Sequence, residues 1–321
     1  MPYEVERHSS PFGRTFPPIV TCQCQHAPGC GWGTGASTRS REMTAYAEAV
    51  ERDTIFALKE DFVGKYLDNE DFVSPVRFGY PEAGDKEVEW VRFQSEAGRP
   101  VYLHRPTRHS NRPRVYHHTS NGVAVHVTRQ QAFQSAYLEV LERHWIVEFW
   151  ERRAMPVRVT APDSRLVIQV AKAGWIASFF MICQQPFVAI CVLQANEALP
   201  PPRSGGVCFG AKAHADPKSA CVGAFSEALQ LAEGVSSPIG FAALSESTLS
   251  FFNGARRDHL LERLSLVRPH LATLDVTPPI EPARIYRREL EFEEFYYCEV
   301  QIAGLNSYPP SRMEGGYRLP L

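Results

Sequence analysis

One short motif occurs three times in this 321-residue chain, and it constrains the fold more than any other feature of the sequence. Each copy has an alanine, an aromatic residue, a free position, a glutamate and, three residues later, a glutamate or glutamine. The copies are Ala45-Tyr46-Ala47-Glu48-Ala49-Val50-Glu51, Ala136-Tyr137-Leu138-Glu139-Val140-Leu141-Glu142 and Ala224-Phe225-Ser226-Glu227-Ala228-Leu229-Gln230. An arginine follows the first two copies, as Arg52 and Arg143. Apolar residues at helical spacing around the copies predict three helices.

The spacing within each copy has a physical meaning. Residues three positions apart on a helix lie on one face, roughly 5–6 Å from each other, so each copy presents two acidic or amide side chains side by side. Like charges there repel unless a cation neutralises them, and Mg²⁺ prefers carboxylate and phosphate oxygens. The following arginine supplies a planar fork of donors suited to phosphate. The sequence therefore predicts a carboxylate cluster that binds Mg²⁺–ATP, with these metal ligands: Glu48, Glu51, Glu139 and Glu142.

A solvated helix surface and a di-iron site are both disfavoured as the origin of the motif. A single Glu-x-x-Glu-Arg is more typical of a solvated helix surface, but a surface has no reason to keep the alanine, the aromatic residue and the acidic pair together in separate helices. A di-iron bundle would use Glu-x-x-His on two of its helices. Here the second position is Glu, Glu or Gln, and His144 lies off that face.

Two local patterns near the N-terminus suggest further sites. Three cysteines close to His26 could be read as zinc ligands, namely Cys22, Cys24 and Cys30. Cys22 and Cys24 are closer together than the usual C-x₂₋₄-C and no second pair follows, so an ordinary strand is favoured. The glycine-rich run at 29–35 is predicted to be a loop, and it lacks the Gly-Lys-Ser/Thr that a P-loop requires.

Composition excludes several classes of partner. The chain has 34 basic and 36 acidic side chains, which gives no reason to expect nucleic acid or an acidic membrane surface. No run approaches the roughly 18 apolar residues of a membrane helix, and the first residues lack a secretion signal, so a cytoplasmic location is expected. The eight cysteines are then expected to be reduced. Cys208 and Cys221 show no His–acid arrangement and are predicted to pack in the core, so no catalytic residue is predicted.

Periodicity and turn signals predict the remaining elements. Thr128 and Asp163 are predicted to be helix N-caps, and Asp216-Pro217 is predicted to begin the third motif helix. Predicted helices span about 41–62, 129–153, 164–173, 217–235 and 255–268. Predicted strands span 18–25, 88–93, 100–104, 123–127, 176–183, 186–194, the residues before His214, and 294–302. The aromatic residues of the last segment, Phe292, Phe295, Tyr296 and Tyr297, are predicted to belong to a buried strand rather than a docking surface.

The motif segments, in their order and spacing, resemble the YcaO family of ATP-dependent enzymes that modify peptide backbones. The resemblance runs from about residue 31 to 230. It comprises the glycine-rich stretch ahead of residues 48–52, then Ser120-Asn121-Gly122-Val123-Ala124 and Thr128 ahead of residues 139–143, and finally Gly210-Ala211-Lys212-Ala213-His214-Ala215-Asp216-Pro217 ahead of residues 226–230.

The resemblance implies an α+β fold of YcaO type, in which a mixed or antiparallel sheet and the three motif helices enclose a Mg²⁺–ATP cleft. It implies a single domain over residues 1–321, with the core motifs at 31–235 and a C-terminal region at 236–321. The paired glutamates would hold Mg²⁺. The residues implied to contact the nucleotide are Arg52, Asn121, Arg143, Glu227 and Gln230; His117-His118 fits either a substrate contact or a solvated loop.

The implied activity is cyclodehydration of a ribosomally made precursor peptide. In the family, ATP activates a backbone amide, and a neighbouring Cys, Ser or Thr side chain closes an azoline ring. The implied partners are the precursor, a leader-binding partner subunit and a flavin-dependent dehydrogenase; a homodimer is left open. Two alternatives remain, thioamide formation and a non-catalytic scaffold subunit. The scaffold is suggested by Val127 and Gln131, where many members have Asn and Glu, and by the short tail at 317–321.

Overall fold

Helices and antiparallel strands both contribute to the fold. A computed structural model describes residues 3–13, 16–27, 29–35, 37–78, 85–104, 121–197, 205–237, 254–268, 274–292 and 294–305. His117-His118 and the C-terminal tail at 317–321 lie outside these residues.

The elements are as follows. The helices are α1 (Thr38–Ala57), α2 (Arg129–Trp150), α3 (Ser164–Lys172), α4 (Pro217–Ser236) and α5 (Ala255–Ser265). The strands are β1 (Val5–His8), β2 (Ile19–Gln23), β3 (Cys30–Gly33), β4 (Phe62–Gly64), β5 (Val88–Ser95), β6 (Pro100–His104), β7 (Val123–His126), β8 (Val157–Val159), β9 (Trp175–Gln184), β10 (Phe187–Ala195), β11 (Val207–His214), β12 (Ile285–Glu291) and β13 (Tyr296–Ile302).

Three antiparallel sheets organise the described strands. The first has the order β1-β2-β3, the second β11-β10-β9-β8, and the third β4-β5-β12-β13-β7 with β6 paired to β5. Helix α1 packs on β2 and β3, α2 packs on β13, β7 and β11, and α4 packs on β11 and β10. The predicted α+β class with three motif helices against antiparallel sheet is confirmed.

Polar side chains begin the three motif helices. Thr128 and Asp216 accept hydrogen bonds from backbone N–H groups of the first turns of α2 and α4, as predicted. Asp163 does the same for α3. Helix α1 begins earlier than predicted because Ser37 and Ser40 form a reciprocal capping box, and it ends at Ala57 rather than near residue 62, where β4 begins.

The prediction that residues 29–35 form a loop is wrong for part of the run. Cys30–Gly33 forms β3, an edge strand paired with β2 and pressed against α1. Its glycines serve close packing: a Cβ on Gly31 would lie 2.1 Å from the backbone oxygen of Ala45, and one on Gly33 would lie 1.9 Å from that of Arg41. Glycine therefore lets a strand approach the helix backbone directly.

The C-terminal strand pair completes the third sheet. Tyr297 is fully buried and Phe295 is 7% exposed, which confirms a buried strand there, although Phe292 remains 40% exposed. The sequence does not predict β12, the partner of β13, because this segment is rich in Arg and Glu and has few apolar residues. In the structure β12 is an inner strand, paired with β13 on one side and β5 on the other. Within the described ranges, no helix is both long and apolar enough to cross a membrane.

Candidate nucleotide site

The first glutamate of each motif is held by a backbone N–H from the segment that precedes its helix. Trp32 N donates to Glu48 at 2.7 Å, and Ala211 N donates to Glu227 at 3.4 Å; donor and acceptor are 16 residues apart in both cases. The N–H of Gly122 likewise donates to Glu139. The sequence repeat is therefore also a structural repeat, in which a strand or turn orients a glutamate on the helix that follows.

Close packing explains the glycine that lies opposite the motif alanine in two of the units. A Cβ on Gly31 would lie 2.1 Å from Ala45 O, and one on Gly210 would lie 2.3 Å from Ala224 O. A glycine on the strand thus faces the turn of the helix that carries the motif alanine, in both units. Because the two backbones almost touch, the N–H groups of the strand come within hydrogen-bond reach of the glutamate three residues along the helix.

Glu142, the second glutamate of its motif, lies deepest in the cluster. Its side chain is 2% exposed, and Oε2 accepts a hydrogen bond of 2.9 Å from Ala213 N. Oε1 has no hydrogen bond and lies 3.6 Å from a terminal nitrogen of Arg143. Burial, with nearby Glu227 and Glu139, raises the pKa of Glu142 to about 7.

The negative charges of Glu51 and Glu139 repel each other. Burial raises the pKa of Glu51 well above its ordinary value, and the carboxylates of Glu139 and Glu48 raise it further. The pKa of Glu139 is also raised by burial and by Glu227. Two of these interactions join different helices, because Glu51 on α1 faces Glu139 on α2 and Glu139 faces Glu227 on α4. The structure thus brings the four predicted metal-binding glutamates together with Glu227 in one acidic cluster.

The two motif arginines are ion-paired within this cluster. Arg52 pairs with Glu48 and donates to the backbone oxygen of Cys30 at 2.8 Å, which fixes β3 against the helix. Arg143 lies 3.6 Å from both Glu139 and Glu142, and its side chain is 18% exposed. Its Nε is buried and has no hydrogen-bond partner among the described residues.

Lys212 adds a cation that the sequence did not predict. Its Nζ lies 3.2 Å from Glu227 Oε1, and Glu227 and Glu142 raise its pKa. The one sequence signal is a lysine inside the otherwise apolar strand β11.

Asn121 and Gln230, the remaining predicted nucleotide contacts, lie beside the cluster. Asn121 is 1% exposed and directly precedes Gly122, whose N–H holds Glu139. Gln230 is half-buried on α4, one turn after Glu227. Gln131 accepts a 2.7 Å hydrogen bond from the hydroxyl of Thr128 at the start of α2.

Two buried acidic groups outside the motifs support the cleft, and the sequence did not predict either. Arg41 Nη1 donates to both oxygens of Glu233, at 3.1 and 3.0 Å, and Ser10 also donates to Glu233. This pair joins α1 to α4. Asp53 accepts hydrogen bonds from the backbone N–H groups of residues 25, 26 and 27, which fixes the turn between β2 and β3.

The residues present fit a Mg²⁺–phosphate ligand. Five carboxylates and three cations, if all are ionised, leave an excess of two negative charges. Within the described residues, no three His, Cys, Asp or Glu side chains form a ready-made metal site. Mg²⁺ is generally held by one or two carboxylates plus phosphate oxygens and water. The raised pKa values of the clustered carboxyl groups show that their negative charges are poorly compensated, and a bound cation would compensate them. The four-glutamate metal assignment stays a prediction.

Comparisons with known proteins concern the family and the fold. A protein-family model described as YcaO cyclodehydratase, ATP- and Mg²⁺-binding, matches residues 32–286. No protein of established function matched the chain in a sequence search.

Three solved structures share the fold. A heterocyclase in complex with substrate and cofactor has 14% identity and a TM-score of 0.71, with 94% of this chain and 49% of that chain covered, so this chain spans about half its length. YcaO from Methanopyrus kandleri, bound with AMPPCP and Mg²⁺, has 18% identity and a TM-score of 0.65, covering 94% and 85%. The E. coli microcin synthetase McbBCD complex has 10% identity and a TM-score of 0.68, covering 94% and 87%.

Proposed function

This chain belongs to the YcaO family, and from that premise we propose that it catalyses ATP-dependent cyclodehydration of Cys, Ser or Thr residues in a ribosomally made precursor peptide. We propose that it acts as a single domain, residues 1–321, within a multi-protein synthetase. A partner subunit would bind the leader of the precursor, and a flavin-dependent dehydrogenase would oxidise the azoline products.

The observation that carries the proposal is the acidic cluster built from three helices, with cations at its edge. Glu48, Glu51, Glu139 and Glu142 would hold Mg²⁺ through their carboxylates. Arg143, whose side chain is 18% exposed, would donate to a phosphate oxygen through its guanidinium group. When bound, Mg²⁺–ATP supplies a phosphoryl group that can activate a peptide carbonyl oxygen.

The protein contributes mainly positioning and charge to such a reaction. Backbone N–H groups fix the glutamates, so their oxygens need little reorganisation when a ligand binds. Burial excludes water from Glu142, which strengthens its interaction with any cation nearby. The ion pair of Arg41 with Glu233 keeps α1 and α4 in register around the cleft.

The fold neighbours support the assembly that we propose. One neighbour is a heterocyclase in complex with substrate and cofactor, and another is a microcin synthetase complex. For the present chain, the partner and the precursor are inferred from this likeness of fold and from the family.

Intact-mass analysis of a reconstituted reaction tests the proposal. The full chain, its partner subunits and a Cys/Ser/Thr-rich precursor are incubated with Mg²⁺–ATP. The expected result is ATP consumption with loss of one water mass per modified residue. Consumption of ATP without that loss contradicts cyclodehydration, and a gain in mass from an added sulfide donor would identify thioamide formation instead.

One observation favours a rival, a non-catalytic scaffold subunit. The side chain of Gln131 is engaged with the N-cap of α2, and Val127 is 51% exposed at the start of the same helix. In the same reconstitution, a scaffold predicts equal and near-zero ATP hydrolysis for the wild type and for the double variant Glu51→Gln, Glu142→Gln, with undiminished complex formation. The proposed enzyme predicts hydrolysis that the double variant loses.

A further inference from the structure

Glycine in the middle of α4 makes room for a lysine from the neighbouring strand. Gly223 lies well inside the helix, where glycine is less favourable than alanine by about 1 kcal/mol. A Cβ at this position would lie 2.5 Å from Cγ, 3.0 Å from Cβ and 3.2 Å from Cδ of Lys212. The stem of Lys212 therefore lies directly across Gly223, and any larger residue there would displace it.

This path directs the ammonium group into the acidic cluster. Lys212 Nζ reaches Glu227, and the residues on either side of Lys212 donate backbone N–H groups to Glu227 and Glu142. Lys212 thus lies between glutamates of two different helices. Its side chain is still 45% exposed, so the ammonium group can also reach a ligand in the cleft.

The third repeat lacks the cation that the first two carry. Arg52 and Arg143 follow the first glutamate of their motifs by four residues and pair with it on the same helix. The same position on α4 is Leu231. Glu227 is paired instead by Lys212, from the strand.

We propose that Lys212 is the third phosphate-binding cation of the cleft, that it replaces the arginine missing from α4, and that Gly223 is required to place it. The proposal rests on the proposed function in one respect, namely that the ligand is a Mg²⁺–nucleotide. A lysine suits this place because its ammonium group is a compact point charge on a flexible stem. The group can therefore move from a carboxylate to a phosphate oxygen.

Calorimetric titration of the full chain with Mg²⁺–AMPPCP tests this inference. Lys212→Met is expected to weaken binding roughly tenfold, because a charge-assisted contact is lost, whereas Lys212→Arg should stay within about threefold of the wild type. Gly223→Ala should also weaken binding, because its Cβ would displace the stem of Lys212. Lys172→Met, at an exposed lysine on α3, is the matched control and should change nothing.

The outcomes separate this inference from the proposed function. If the wild type does not bind Mg²⁺–AMPPCP, the nucleotide site and the role of Lys212 both fail. If the wild type binds and Lys212→Met binds equally well, the role of Lys212 fails and the nucleotide site stands. A purely structural lysine predicts lower unfolding midpoints with unchanged affinity in the protein that remains folded, and that result in Gly223→Ala and Lys212→Met would also overturn the proposal.

Discussion

Individual carboxyl groups in the cleft carry a negative charge that destabilises the ligand-free protein. Glu51 makes no hydrogen bond or ion pair with the described residues, and burial, Glu139 and Glu48 all raise its pKa. A carboxyl group whose folded pKa is raised ionises more readily in the unfolded chain. Its contribution to stability therefore falls as the pH rises from the unfolded pKa, about 4.3, through the folded value. This cost is what a bound cation would remove.

Glu51→Gln should consequently stabilise the free protein in alkaline but not in acidic solution. At pH 8 we expect the thermal midpoint to rise by a few degrees, since the unfavourable burial of the Glu51 charge is relieved. Near pH 3.5 the gain should vanish, because below the unfolded pKa the carboxyl group is largely protonated in both states. Glu87→Gln, at an exposed position, is the control. A loss of stability at pH 8, or an equal gain at both pH values, would show that Glu51 bears no unfavourable charge.

At the scale of the elements, helix boundaries could be predicted better than strands. Thr128, Asp163 and Asp216 begin their helices as predicted, because a cap depends on residues close in sequence. The sequence predicts a loop at residues 30–33 because glycine normally interrupts strands. Here the glycines are required by close packing of the strand against α1, and no local sequence pattern reveals that packing.

Gly31→Ala tests the close approach of β3 and α1. The added Cβ would lie 2.1 Å from a backbone oxygen of α1, so the strand must move. We expect a loss of about 2–3 kcal/mol and a fall in the thermal midpoint of roughly 3–5 °C. Gly64→Ala is the control, because its Cβ would meet only the Phe62 ring at 3.5 Å. Equal midpoints for both variants would mean that the strand and helix are not in such contact.

At the scale of the whole molecule, three strand–helix units direct their glutamates to one place. The repeat in the sequence predicted which carboxylates meet, since each unit uses the same spacing. It did not predict Lys212, because the lysine comes from a strand outside the motif and only the third unit needs it. The buried pair of Arg41 and Glu233 was also unpredicted, since its members are 192 residues apart. Pairings of that kind depend on the tertiary fold.

The central claim is that these units form a Mg²⁺-dependent nucleotide site, and calorimetric titration of the full chain with AMPPCP, with and without Mg²⁺, tests it most directly. We predict that the wild type binds AMPPCP only when Mg²⁺ is present, and that Glu51→Gln with Glu142→Gln weakens this binding by at least about tenfold in a folded protein. Binding of equal strength without Mg²⁺, or undiminished binding by the double variant, would contradict it.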